Sequence, residues 1–312
     1  MKFPIFFAST SFLLLSTIMP ASADADSCAK VHFSDLGWTD LSLTNATASL
    51  ILDALGYESE QTLLGLNVTY EMLKNHQIDV FLGNWRPVQD EQFKAYFDRG
   101  DVEVITTNLT GAKFTLAVPT YVADAGVKSY DDLAKYADRF GSSIYGIEPG
   151  SNQPLLDMVD ANGHGLKDWK VVESSEAAML TQVERAVKDK NWIVFLAWAP
   201  HPMNLKYPLT YLSGGEAEYG PNFGGATVRT ISRTNYAKEC PNVVKLLSNL
   251  KFDIEYENYG MKAIMVDGQE ASVAAKNMIA KRPELLKQWL DGVTTKEGGD
   301  GYEAVKSTLL SN

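Results

Sequence analysis

The sequence predicts an α/β protein of two lobes, each a sheet covered by helices. Three observations carry this expectation. Strand-like and helix-like stretches alternate along the chain, the pattern of layered α/β folds. No Pro/Gly/Ser-rich linker divides the 312 residues, so two sheets require a chain that crosses between lobes more than once. No internal repeat or low-complexity tract points to a solenoid instead.

Taken in order, residues 31–34 read as a first strand that runs into a turn at Gly37 and presents Trp38 and Asp40. Leu41, Leu43, Ala46, Leu50, Ile51, Ala54 and Leu55 then recur at helical spacing, with Thr39 or Asp40 as the N-cap. Residues 79–83 form a second strand, ending at Asn84 to Pro87, and a polar helix covers 88–99. Strands follow at 102–106 and 113–118, then a short helix over 129–138 capped by Ser129. A strand at 143–148 ends in Pro149-Gly150-Ser151-Asn152, before a helix over 155–161. Val171 and Val172 lead into a helix over 175–188. The most hydrophobic strand, 192–198, stops at Ala199-Pro200-His201-Pro202. The crossings are expected at 108–112 and 206–215. Lobe I is then residues 24–110 plus 211–312, and lobe II is 111–210.

Residues 1–23 read as a secretory signal peptide: Lys2 supplies the positive start, an apolar run follows, and Ala21-Ser22-Ala23 is a small-x-small cleavage site. A second cut is available after Ala25. Removing Lys2 takes the net charge from −11 to −12, which argues against nucleic acid or anionic membrane as partners. In an exported chain the two cysteines, Cys28 and Cys240, are expected to form one disulfide.

Little points to catalysis or metal binding. The four histidines, His32, His76, His164 and His201, show no metal-ligand spacing with one another or with cysteine. There is no nucleophile elbow, P-loop or dinucleotide fingerprint. The expectation is a monomeric, non-enzymatic protein without cofactor or metal.

The aromatic residues carry a positive signal. Of six tryptophans, Trp38, Trp85 and Trp198 stand at or just beyond expected strand ends, where open α/β sheets bind ligands. Phe114 opens the first strand of lobe II, so each lobe contributes two rings. Facing lobes could wall in one small cation with these rings, with Asp40 as counter-charge. Such cages recognise quaternary ammonium, whose methylated nitrogen donates no hydrogen bonds and is readily desolvated.

At this point the chain resembles the glycine betaine/choline substrate-binding family of ABC importers. The resemblance rests on Phe33-Ser-Asp-Leu-Gly-Trp-Thr-Asp40, Asp79-Val-Phe-Leu-Gly-Asn-Trp85, Tyr145-Gly-Ile-Glu-Pro-Gly150, Val171-Val-Glu-Ser-Ser-Glu176, Trp198-x-Pro-His-Pro-Met203, Tyr211-Leu-Ser-Gly-Gly215 and Thr295-Lys-Glu-Gly-Gly-Asp300. It implies a two-lobed type II periplasmic-binding-protein fold with a cleft between lobes. It also implies choline or a related quaternary ammonium as ligand, and partnership with a permease and a separate ATPase. The cage then falls on Trp38, Trp85, Phe114 and Trp198, and the carboxylate on Asp40. Phe114 stands where the family usually has Tyr. The Asn that contacts the ligand hydroxyl corresponds to Ser151 or Asn152. Glycine betaine, carnitine or acetylcholine are the alternative ligands, and an inward Arg86 would favour betaine. A secreted enzyme acting on choline compounds is a more remote alternative.

Overall fold

The structure is a computed structural model and describes residues 26–311. The expected signal peptide lies outside the described residues. Its first half runs β1 (Lys30–Asp35), α1 (Thr39–Ala54), β2 (Glu58–Leu63), α2 (Leu66–Lys74), β3 (Val80–Arg86), α3 (Asp90–Asp98) and β4 (Val102–Pro119). The middle contributes β5 (Ser143–Tyr145), α4 (Gln153–Asp160), β6 (Lys170–Val172), α5 (Glu176–Asp189), β7 (Phe195–Ala199) and β8 (Leu209–Tyr211). The chain returns through β9 (Gly225–Arg233) and closes with helices that include α6 (Pro241–Asn249), α7 (Ile254–Met265) and α8 (Ala271–Lys281). No helix among the described residues is long and apolar enough to cross a membrane.

The strands form one hydrogen-bonded path, β2-β1-β3-β9-β4-β7-β5-β6, with β8 also on β4. Two separate sheets were expected. They are joined because the stretches read as strands at 102–106 and 113–118 are one strand of 18 residues. The first part of β4 pairs antiparallel with β9, and its last part with β7 and β8. Three register shifts against β9 interrupt the ladder between Val104 and Ala112, and such bulges bend a strand without ending it. Buried Asn108 holds the bend, donating to the Leu82 carbonyl at 2.8 Å and the Thr230 hydroxyl at 2.9 Å. The Asn-Leu-Thr-Gly sequence reads as a break, but tertiary hydrogen bonds carry the strand through it.

Within the stretch expected as the second passage, 206–215, β8 pairs with Ala117–Pro119 of β4. We propose that the chain leaves the second lobe near Gly220 to Gly225. Gly224 has φ +69°, and a Cβ there would lie 2.1 Å from the Phe114 carbonyl oxygen. Glycine alone allows the returning chain to pass so close to β4.

One element carries no pattern legible in the sequence. The edge strand β2 (Glu-Ser-Glu-Gln-Thr-Leu) pairs parallel with β1 and is mostly exposed, so no apolar alternation marks it. Its successor, α2, buries Leu66, Thr69, Tyr70 and Leu73 at helical spacing. By contrast α1 is buried on most of its surface. Asn45, Thr44 and Thr47 turn their polar groups onto backbone carbonyls of Ser34, Leu41 and Leu43. Its outer side packs on α7, where Leu43 comes so close to Gly260 that a Cβ there would lie 2.3 Å away. The expected Ser129 cap is present as a capping box with Asp132. The Cys28–Cys240 disulfide is present, with a Cα–Cα distance of 5.6 Å.

Candidate binding site between the lobes

Gly37, at φ +76°, turns the chain out of β1 and sets Trp38 at the N-cap of α1. The expected caps, Thr39 and Asp40, are instead the first two helical residues. The free N–H of Thr39 is satisfied from the other lobe, by Glu176 Oε2 at 3.0 Å. Trp85 lies inside β3, which runs three residues past the expected end at Gly83, to Arg86. Phe114 and Trp198 are register partners on β4 and β7, so their rings stand side by side.

These elements enclose a small cavity of about 30 Å³. Its walls are Trp38, Trp85, Phe114 and Trp198, with Asp40, Ser151, Leu66, Val88, Gln89, Gln92 and Ile147. Ring centroids are 5.9 Å apart for Trp85–Phe114 and 6.0 Å for Phe114–Trp198. All four rings are buried. Such a volume exceeds the need of one water and suits a compact ligand.

The cavity carries one buried carboxylate. Asp40 is 6 % exposed and accepts from Trp85 Nε1 at 3.3 Å. Burial pushes its pKa up to about 7, and the neighbouring Glu176 adds to the rise. Glu148 lies just outside, accepting from Trp38 Nε1 at 2.8 Å and from the Ser151 hydroxyl. Burial pushes it up as well. Glu257 on α7 is buried, feels Asp40, and is driven well above the usual carboxylate range chiefly by desolvation. No lysine or arginine lines the cavity among the described residues. Arg86 turns outward, its Nε 2.7 Å from Asp90 on the surface.

Of the residues expected at the site, Trp38, Asp40, Trp85, Phe114, Ser151 and Trp198 come together, while Asn152 does not line the cavity. The Asn152 side chain is fully buried. It accepts from the Ile147 N–H at 2.8 Å and donates to the Ile147 and Glu148 carbonyls and to Glu173. That geometry commits Asn152 to shaping the loop after β5. Leu66, Val88, Gln89, Gln92 and Ile147 were not anticipated: they lie in loops or in the first turns of α2 and α3, where a single apolar or amide residue gives no sign of facing a cavity. His201, a loop residue between prolines, is buried and bonded to Glu176 at 3.1 Å.

Hydrogen bonds tie the lobes across the cavity: Trp38 to Glu148, Thr39 to Glu176, and Gln92 Nε2 to the Gly150 carbonyl at 3.0 Å. Two lobes closed over an aromatic cavity, joined through β4 and β9, define a type II substrate-binding protein. The chain belongs to the OpuAC family, the substrate binding domain of ABC-type glycine betaine transport systems, whose pattern matches residues 29–281. Substrate-binding proteins of ABC importers are extracytoplasmic, and they work with the permease and ATPase components of the transporter.

The chain is similar to a solved ABC-transporter choline binding protein in complex with choline, at 49% identity and a TM-score of 0.90. The match covers 92% of this chain and 100% of that one. It is also similar to an ABC-transporter choline binding protein in an unliganded semi-closed conformation, at 50% identity and a TM-score of 0.84, covering 91% and 99%. A glycine betaine/carnitine transport binding protein of Listeria monocytogenes is 28% identical over 202 residues, 63% of this chain and 64% of that protein.

Proposed function

We propose that this chain captures choline from outside the cytoplasm and delivers it to the importer's permease. The observation that carries this reading is the cavity itself: four aromatic walls, one buried carboxylate, and no cationic side chain in its lining. A trimethylammonium group loses few hydrogen bonds on entering such a space and gains cation–π attraction from each ring. At about 1–2 kcal/mol per desolvated ring, four rings and a carboxylate are commensurate with micromolar binding, about −8 kcal/mol. The ligand hydroxyl is assigned to Asp40 and Ser151. Similarity to a choline complex at 49% identity supports the same ligand.

Glycine betaine is the second reading, favoured by the family description and by the Listeria relative. Its carboxylate would enter beside Asp40, and Arg86, the arginine next to Trp85, is engaged by Asp90 at the surface. That arrangement disfavours a zwitterion. Calorimetric titration of the purified protein tests the choice. Saturable micromolar choline binding with at least about tenfold weaker betaine binding is expected, and tighter betaine binding would reverse the assignment.

The protein is read as non-catalytic, and incubation with acetylcholine should release no acetate. Export through residues 1–23 is part of the proposal, and the mass of the exported protein would distinguish cleavage after Ala23 from cleavage after Ala25.

A further inference from the structure

We infer that Glu176, which does not line the cavity, sets selectivity for ligand charge by making lobe closure depend on a net positive ligand. The inference rests on the cage reading above and deepens it. Glu176 is the first helical residue of α5 in the second lobe and is 4 % exposed. Its Oε2 accepts from the Thr39 N–H at 3.0 Å, and its Oε1 accepts from the Thr39 hydroxyl at 2.8 Å and from His201 Nε2 at 3.1 Å. The Met203 N–H donates to His201 Nδ1 at 2.9 Å, which leaves Nε2 as the hydrogen-bearing nitrogen. The histidine is therefore a neutral donor and brings no compensating charge.

The contacted residue, Thr39, sits between Trp38 and Asp40 at the start of α1. Closing the lobes thus brings one carboxylate of the second lobe onto the turn that carries Asp40. The hydrogen bonds at the helix N-terminus favour this contact. The field between Glu176 and Asp40, one carboxylate from each lobe, opposes it. A cation in the cage attracts both Asp40 and Glu176 and relieves the repulsion. A neutral ligand of the same shape leaves it in place, and a zwitterion adds a further negative group. Glu176 acts through Asp40 and the closed geometry, so it is a positioning residue and not a ligand contact.

Choline and dimethylbutanol, its neutral carbon isostere, separate charge from shape. Two unit charges about 10 Å apart at an effective dielectric constant of about 20 attract enough for roughly tenfold in affinity. Titrating Glu176→Gln is therefore expected to lower the choline-to-isostere affinity ratio about tenfold, with the isostere unchanged or bound more tightly as the repulsion from Asp40 is relieved. Glu176→Ala removes the charge without setting an amide N–H against the Thr39 donor, and must give the same fall in ratio if the Gln variant does not fold. Glu176→Asp keeps the charge and should preserve the ratio even where both affinities drop.

Equal losses for both ligands would mean that Glu176 is only a structural tie, and an unchanged ratio would equally overturn the inference. Failure of the unsubstituted protein to bind choline would instead defeat the cage reading, and the inference with it.

Discussion

The strongest consequence of the site is that choline binding releases a proton. In the closed geometry Asp40 titrates at about 7, because burial and then Glu176 disfavour its charged form. A quaternary ammonium beside it favours the ionised form and lowers that value. At pH 6 about nine-tenths of the closed protein without ligand then carries a protonated Asp40, and at pH 8 about one-tenth does. Choline should therefore bind about tenfold more weakly at pH 6 than on the alkaline plateau, with little change above pH 8. Calorimetry in two buffers of different protonation heat should report roughly 0.9 proton released per choline at pH 6 and roughly 0.1 at pH 8. Asp40→Asn should bind more weakly at neutral pH and lose the pH dependence, which separates Asp40 from Glu148 and Glu257. A flat affinity from pH 6 to 8 without proton release would refute the reasoning.

The sign for stability follows from the same group. Its value in the folded protein lies above the ordinary 3.8, so the folded state holds more protons between the two. Stability of the ligand-free protein falls as pH rises through that window, by up to about 4 kcal/mol for this carboxyl alone. At equal excess, choline should raise the melting temperature more at pH 8 than at pH 6.

Four further outcomes are expected. Trp198→Ala removes one of the four rings and should weaken choline by about five- to thirtyfold, read by titration, with the fold retained by circular dichroism. Asn152→Ala leaves the Ile147 N–H without its partner, while the Ile147 and Glu148 carbonyls keep the N–H groups of Ser174 and Ser151, and should cost about 1–3 kcal/mol in denaturant unfolding. Ser151→Ala should leave stability nearly unchanged and weaken choline severalfold without affecting tetramethylammonium, which has no hydroxyl. Cys240→Ser opens a loop spanning 212 residues and should cost on the order of 5 kcal/mol in the chain-entropy model, while choline affinity in the folded fraction is retained.

The site was legible where a residue's chemistry is unusual for its place. A tryptophan at a strand end and an aspartate in the first turn of a helix stand out from the local pattern, and the cavity gathers Trp38, Trp85, Trp198 and Asp40. Phe114 was legible only because the aromatic set and the expected crossing pointed to it together. The choice between Ser151 and Asn152 was not legible. Both are small polar residues in one loop, and only the bonds that Asn152 makes to its own loop turn it away from the cavity.

The sequence by itself determined the alternation of strands and helices, the helix that follows Asp40 and the four rings of the cage. It also determined the Cys28–Cys240 pair. These features follow from periodicity, local residue chemistry and compartment, all of which are written along the chain. Only the tertiary structure decided that β4 runs unbroken from lobe to lobe, because bulges and the bonds of Asn108 carry it past an apparent break. It alone decided that α1 is capped by a carboxylate 137 residues away, and that Arg86 faces solvent while Asp40 is buried. Those outcomes depend on which groups meet when the lobes close, and contacts between distant segments leave no local pattern to read.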